Sequence, residues 1–327
     1  MLKSALVGDK PRIERVYGQE HIAELSTRTE LHREVIGSNE VDTYRDVLSR
    51  IDVIASTWGM PEFNEAQLDA MPNLKLVLYA AGDVRGFATP LIRRGIKVVS
   101  AWRANAVPVA EFTLAHVLLA GKCYLRNMSE FHANKQFRTA VRGPGNCGET
   151  LAIIGMGAVG RALVDLMKPL QWNLIAADPM LNDEEAARLG VAKVPLAEAF
   201  EKGFVVSNHV PDNASTKGLI DGALLRSMRE GATFINTGRG RTVVQDEFVE
   251  VFRQRPDLTA VLDVTDPEPL PSDSPVWELQ NVFVSTHIAG SIGNEVGNMA
   301  KLCLEELDRY VAGQPLQHLV TESLLAP

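Results

Sequence analysis

Six short apolar runs from near residue 150 onward constrain the fold more than any other feature: LAIIG (151–155), NLIAAD (173–178), FVVSN (204–208), ATFINT (232–237), AVLDV (260–264) and NVFVS (281–285). Each is nearly continuous in apolar residues, as expected of a strand covered on both faces in a parallel sheet between helical layers. Six of them match the strand count of a doubly wound dinucleotide-binding domain. A second series precedes them, with SALV (4–7), DVIAS (52–56), LKLVLYA (74–80) and KVVS (97–100) as strands. Between these lie the candidate helices YRDVLSRI (44–51), NEAQLDAM (64–71) and ATPLIRRG (88–95). Strands separated by helices again imply parallel pairing, here in a layered α/β domain. The predicted fold is therefore α/β, with two doubly wound parallel-sheet domains.

VPVAEFTLAHVLLAG (107–121) joins the two series. It is apolar nearly all round and Pro108 suits a first helical turn, so it reads as a helix buried at a domain or subunit boundary. A last helix, roughly 292–312, has Ile292, Val296, Met299, Cys303, Leu307 and Tyr310 at helical spacing before Gly313 and Pro315 stop it. This helix is read as returning the chain to the first domain. The expected division is 1–101 with 294–327 as one domain, and 102–293 inserted in it.

The chain has 327 residues, enough for two domains with real cores, and a formal net charge of −8. It has no basic run of the kind that tracks phosphate backbones, which excludes nucleic acid as the expected partner. Cys123, Cys147 and Cys303 are far apart and odd in number, a pattern that suits reduced thiols. The first residues, MLKSALVGDKPRIE, hold too short an apolar run for a signal peptide, and no segment has the ~18 continuous apolar residues of a membrane span. The cytoplasm is the expected compartment. No pair of the seven histidines has metal-ligand spacing, so no metal is expected.

LAIIGMGAVGRA places G-x-G-x-x-G at Gly155, Gly157 and Gly160, after an apolar strand and at the start of an amphipathic helix. That context makes it a dinucleotide fingerprint, with phosphate held on free N–H groups at the helix start, around Ala158 and Val159. Asp178 closes the next strand roughly 20 residues further on, where an acid binds a ribose 2′-hydroxyl and repels a 2′-phosphate. NAD is therefore expected rather than NADP; S-adenosylmethionine enzymes share the layout and form a minor alternative.

Three further strand ends carry polar groups: Arg239 in NTGRG, Asp263 and Glu268 in LDVTDPEPLP, and His287 in STHIAG. Ligands of an open α/β sheet sit beyond the carboxyl ends of its strands, so topology leads these residues to the edge of the glycine loop. Reduction of a 2-oxo acid delivers hydride to the carbonyl carbon and leaves charge on its oxygen. A histidine can donate the proton that oxygen needs and take it back in the oxidative direction. A neighbouring carboxylate orients the ring and favours imidazolium, which is the part expected of Glu268. An arginine fork matches a carboxylate, the part expected of Arg239. The loops on this edge add His209, Pro211, Thr216, Thr237, Gly238, Arg239, Asp263, His287 and Gly290 to the candidate cofactor contacts. His209 has two readings, as a structural residue or as a neighbour of the cofactor.

In order and spacing, GMGAVGR, HVPDNASTKGLI, NTGRG, DVTDPEPLP and STHIAG resemble the D-isomer-specific 2-hydroxyacid dehydrogenase family over roughly residues 50–312. The resemblance implies that Arg239 binds the substrate carboxyl group and carbonyl, that Glu268 assists the catalytic His287, and that Asp263 lies near the nicotinamide carboxamide. It implies a flavodoxin-like substrate domain and a Rossmann coenzyme domain with the active site between them, and a homodimer formed through the coenzyme domain. It also implies that backbone amides of AAGDVRGF, at Ala81, Gly82 and Asp83, hold the substrate carboxylate.

Gly238 and Thr286 stand where the family commonly has alanine and proline. The loop STWGMP (56–61) is less familiar; Trp58 and Met60 are either pocket walls for a bulky apolar substrate side chain or core residues, and Trp102 and Arg103 carry the same ambiguity. The leading expectation is NAD-dependent interconversion of a D-2-hydroxy acid and a 2-oxo acid. The alternative is a catalytically weak NAD(H)-sensing scaffold like the family's corepressor relatives. A formate dehydrogenase is disfavoured, because Glu268 stands where those relatives have glutamine.

Overall fold

The structure, a computed structural model, describes residues 1–137 and 141–325. The chain forms two compact units, Met1–Asn105 with Ser291–Ala326, and Ala106–Gly290.

In the first unit β1 (Lys3–Leu6), α1 (Lys10–Arg28), β2 (Glu30–Leu31), α2 (Arg45–Leu48), β3 (Val53–Ser56), α3 (Glu65–Asp69), β4 (Leu76–Tyr79), α4 (Ala88–Arg93) and β5 (Lys97–Ser100) follow in order. The strands are parallel in the order β2-β1-β3-β4-β5, which is the flavodoxin-like arrangement. Successive side chains leave opposite faces of each strand. Val53, Ala55, Leu76 and Leu78 meet Ile13, Val16 and Tyr17 of α1 together with Met299, Cys303 and Leu307. Ile54, Val77 and Val98 meet Leu48, Leu68 and Leu91 on the other side. No sequence pattern predicts helix α1 or the two-residue β2. Gly18 interrupts α1 with φ +56, so Ile13, Val16 and Tyr17 before it and Leu25 after it belong to two helical segments with no common period.

The chain passes into the second unit within α5 (Trp102–Ala120), and that unit contains α6 (Tyr124–Asn134), β6 (Cys147–Ile154), α7 (Ala158–Met167), β7 (Gln171–Ala177), α8 (Asp183–Leu189), β8 (Ala192–Lys193), α9 (Leu196–Lys202), β9 (Val205–Asn208), α10 (Gly222–Arg226), β10 (Thr233–Asn236), α11 (Gln245–Gln254), β11 (Thr259–Leu262) and β12 (Val282–Val284). Its parallel sheet runs β12-β11-β10-β9-β6-β7-β8. Counted from β6 this is the Rossmann order 3-2-1-4-5-6 with one more edge strand, and the order reverses between β6 and β9. All six apolar runs form strands. The seventh, β8, is a two-residue exposed edge strand that no apolar run announces. Helix α5 starts at Trp102 rather than near residue 107, which puts Pro108 in its interior, where one main-chain donor is missing. Within the single chain it buries Ala106, Val109, Ala110 and Val117 and leaves Val107 exposed.

The last long helix, α12 (Val296–Val311), returns to the first unit with Val296, Met299, Cys303 and Leu307 buried. Gly313, with φ +67, follows its end.

Candidate active site

The coenzyme loop grows out of the end of β6. Gly155 adopts φ +91, and a Cβ there would press on the main chain of His209 and Val210 at 3.1 Å. A Cβ on Gly160 would lie far inside contact distance of the Gly155 carbonyl oxygen. Gly157, the N-cap of α7, has nothing within 4 Å of the corresponding position. The first and third glycines are thus required by the fold. The second opens space at the start of a ten-residue helix whose first N–H groups lack intrahelical partners. Ala158 and Val159 form its first turn.

Asp178, just beyond β7, accepts from the Met156 amide at 2.6 Å with Oδ2 and from the Met180 amide at 2.7 Å with Oδ1. The carboxylate is thereby held beside the glycine loop, and each oxygen keeps a second lone pair for a ribose hydroxyl. These residues fit a dinucleotide.

His209 follows β9. Its ring shares one hydrogen bond with Ser207 Oγ at 2.9 Å and another with Thr237 Oγ1 at 3.0 Å. Burial pushes its pKa down to about 3, so the ring is neutral near pH 7. It ties the β9 loop to the β10 loop. Beyond it, Thr216 Oγ1 donates to the Pro211 carbonyl at 2.5 Å and so closes the 211–216 loop.

Arg239 leaves β10 in extended conformation, and its Nη1 donates to the Gly238 carbonyl at 2.7 Å. Among the described residues no ion pair joins it to a carboxylate. Glu268 Oε1 and His287 Nδ1 meet at 2.5 Å. Both side chains are well exposed on this unit, at 41% and 46%. The bond at Nδ1 leaves Nε2 as the ring nitrogen available to a ligand.

His287 itself has φ +58, a left-handed conformation that a non-glycine residue adopts only when its surroundings impose it. The cause is Asp263, 2% exposed, which lies beneath the turn. Its Oδ1 accepts from Ser285 Oγ at 2.6 Å and from the Ile288 amide at 2.8 Å, and its Oδ2 accepts from the Ala289 amide at 2.8 Å. The family resemblance connects Asp263 to the cofactor, and no local pattern announces its grip on residues 285–289. The only signal available was an acid ending an apolar strand. Gly290 ends the unit directly after this turn.

The sequence profile of the family described as D-isomer specific 2-hydroxyacid dehydrogenase, NAD binding domain, matches residues 115–289. The chain belongs to that family. Its match therefore includes the glycine loop, Asp178, Arg239, Asp263, Glu268 and His287, and NAD is the family's cofactor. The chain is similar to the D-3-phosphoglycerate dehydrogenase of Archaeoglobus fulgidus, 27% identical over 312 residues, which cover 95% of this chain but 58% of that one. It is 28% identical to the glyoxylate reductase of Korarchaeum cryptofilum over 79% of each chain. Among solved structures, a phosphoglycerate oxidoreductase from Rhizobium etli superposes with a TM-score of 0.79 at 25% identity, covering 97% of this chain and 98% of that one.

The first unit holds the remaining candidates. Ser100 Oγ donates to the carbonyls of Ala81 at 2.9 Å and Gly82 at 2.7 Å. Across a trans peptide the following N–H points the opposite way, so the amides of Gly82 and Asp83 are turned from Ser100. The amide of Ala81 instead donates to the Tyr79 carbonyl at 2.9 Å, which removes it from the expected trio of donors. The Asp83 carboxylate accepts from its neighbour Arg85, at 2.9 Å from Nε and 2.5 Å from Nη2. Trp58 packs against both apolar clusters of the unit, with the Arg15 guanidinium 5.8 Å from its ring centre. Met60 packs against one of those clusters. Arg103 lies 5.1 Å from the Trp102 ring centre.

Proposed function

We propose that the chain is an NAD-dependent oxidoreductase that interconverts a D-2-hydroxy acid and its 2-oxo acid, with His287 as general acid and base. The observation that carries this reading is the Glu268–His287 pair, standing on the same sheet edge as the coenzyme loop with an arginine that has no acid partner among the described residues. The Gly157 helix start and Asp178 would hold the dinucleotide, which when bound supplies or accepts the hydride. Arg239 binds the substrate carboxylate with its fork and polarises the neighbouring carbonyl. In the reductive direction His287 gives its Nε2 proton to the carbonyl oxygen, while Nδ1–H stays on Glu268 and keeps the ring in place. In the oxidative direction Nε2 takes the hydroxyl proton. Gly82 and Asp83, with amides turned from Ser100, belong to the same proposal as carboxylate donors. Trp58 and Met60 support a bulky apolar substrate side chain if they form its wall.

The same reading includes a homodimer through the coenzyme unit. Helix α6 exposes Tyr124, Met128 and Phe131 at helical spacing, a strip suited to a second copy. A reducing, cytoplasmic compartment suits the three free thiols.

The test follows loss of NADH absorbance with 2-oxo acids from glyoxylate to branched and aromatic members. Turnover by the parent chain, reduced by at least about a hundredfold in His287→Ala with NADH binding retained, is the expected result. Undiminished turnover in His287→Ala refutes the assignment of the proton carrier.

A further inference from the structure

Asn208 closes β9, the strand beside the point where the sheet order reverses, and is fully buried. A buried amide at the end of the run FVVS must find partners, and its partners lie in another loop. Asn208 Nδ2 donates to Asn236 Oδ1 at 3.0 Å and to Thr242 Oγ1 at 2.9 Å. Those two residues in turn hold one atom: Thr242 Oγ1 donates to the Arg239 carbonyl at 2.6 Å, and Asn236 Nδ2 donates to the same carbonyl at 3.3 Å. Asn236 Oδ1 also accepts from the Gly238 amide at 3.1 Å. Asn208 completes its own bonding by accepting from the Val210 amide at 3.3 Å.

Both hydrogens of one buried amide thus direct the two groups that grip the Arg239 carbonyl. The hydroxyl of Thr242 is committed to donating toward Arg239 because its acceptor side is occupied by Asn208. The site is also too close for other arrangements. A Cβ on Gly238 would lie 3.0 Å from the Val210 carbonyl and 3.3 Å from Asn208 Nδ2, so the Arg239 turn rests directly on the Asn208–Val210 segment. An arginine on a turn with no ion-pair partner among the described residues gets its placement from main-chain anchoring, and here the anchor is the buried network of Asn208, Asn236 and Thr242.

We propose that Asn208 is a positioning residue for substrate: through Asn236 and Thr242 it sets the main chain of Arg239, and thereby the affinity for the 2-oxo acid carboxylate. This rests on the proposed role of Arg239.

The test compares Asn208→Leu, Asn208→Ser and Thr242→Val with the parent chain and with Arg239→Met, on the same 2-oxo acid panel. KM and kcat come from steady-state rates, NADH Kd from fluorescence titration and Tm from thermal melts. A loosened arginine is expected to raise the KM of the best panel substrate about tenfold or more, since sub-ångström misplacement of a binding group is costly. NADH Kd is expected to stay within about twofold and the rise in KM to exceed the fall in kcat. The Asn208→Leu, Thr242→Val double variant is expected to be little worse than the poorer single variant, because the two act on one carbonyl. If Asn208→Leu does not fold, Asn208→Ser and Thr242→Val carry the test. A lower Tm with unchanged KM would reduce Asn208 to a packing residue and overturn the inference, as would a loss of NADH affinity in step with KM. An unchanged KM in Arg239→Met, or no turnover by the parent chain, overturns the functional reading itself. A raised KM in Arg239→Met beside normal Asn208 and Thr242 variants overturns only the inference.

Discussion

Replacing Asp263 by asparagine changes one atom beneath the His287 turn, and its consequences follow from three hydrogen bonds. The carboxylate accepts from Ser285 Oγ, the Ile288 amide and the Ala289 amide, and is almost wholly buried. Asparagine retains an oxygen for Ser285 and Ile288, but those bonds lose their charge assistance. Its NH2 faces the Ala289 N–H, leaving donors opposed and without an acceptor. A bond to a charged group contributes about 1.5–3 kcal/mol, a neutral one about half that, and an orphaned buried donor costs about 1–3 kcal/mol. The net loss is about 3 kcal/mol, which lowers Tm by about 6–12 °C for a unit of this size. The left-handed backbone of His287 costs about 1–2 kcal/mol to maintain, so a weakened grip lets the turn relax and takes the ring off Glu268. Turnover is expected to fall about tenfold to a hundredfold with NADH affinity preserved. Differential scanning calorimetry, NADH titration and steady-state rates on one preparation decide it. An unchanged Tm with weakened NADH binding would show that the carboxylate serves chiefly the cofactor, and would refute the reasoning.

Two other consequences are open to measurement. Gly160→Ala sets a methyl group against the Gly155 carbonyl and must push α7 off the loop, so NADH affinity is expected to fall about tenfold or more in a fluorescence titration, while Gly157→Ala, with open space, is expected to be milder. His209 is neutral in the folded chain with a pKa of about 3, whereas an unfolded histidine titrates near 6.5. Because the unfolded state binds the extra proton, this contribution to stability is complete above about pH 6.5 and falls with acidification, by about 2 kcal/mol at pH 5. Melts between pH 7 and 5 are expected to show that slope in the parent chain and a shallower one in His209→Gln; equal slopes would assign the acid sensitivity elsewhere.

Much of this architecture is written in local patterns. A strand apolar on both faces declares its parallel, covered setting within five residues, and G-x-G-x-x-G meets a positive φ at Gly155 and a lack of room for a Cβ at Gly160. Those signals depend on backbone sterics and short spacing, so LAIIGMGAVG, Asp178 and the six strand runs were legible without coordinates. Helix α1 was not, because Gly18 divides it into segments without a shared period. Trp58 and Met60 keep two readings for another reason: a large apolar side chain has the same chemistry in a pocket wall as in a core, and their partly buried packing against the first unit's apolar clusters suits both.

The amino-acid sequence by itself determined the strands and nominated Arg239, Glu268 and His287 as candidates, since they stand at strand ends that topology must bring to one edge. Tertiary structure decided how they are held. Glu268 reaches His287 across 19 residues, Asp263 reaches Ala289 across 26, and Asn208 reaches Thr242 across 34. Each of these bonds joins loops whose strands come together only in the folded sheet. Strand order is settled by burial of whole faces, and no local run of residues encodes which loop a buried amide or carboxylate will meet.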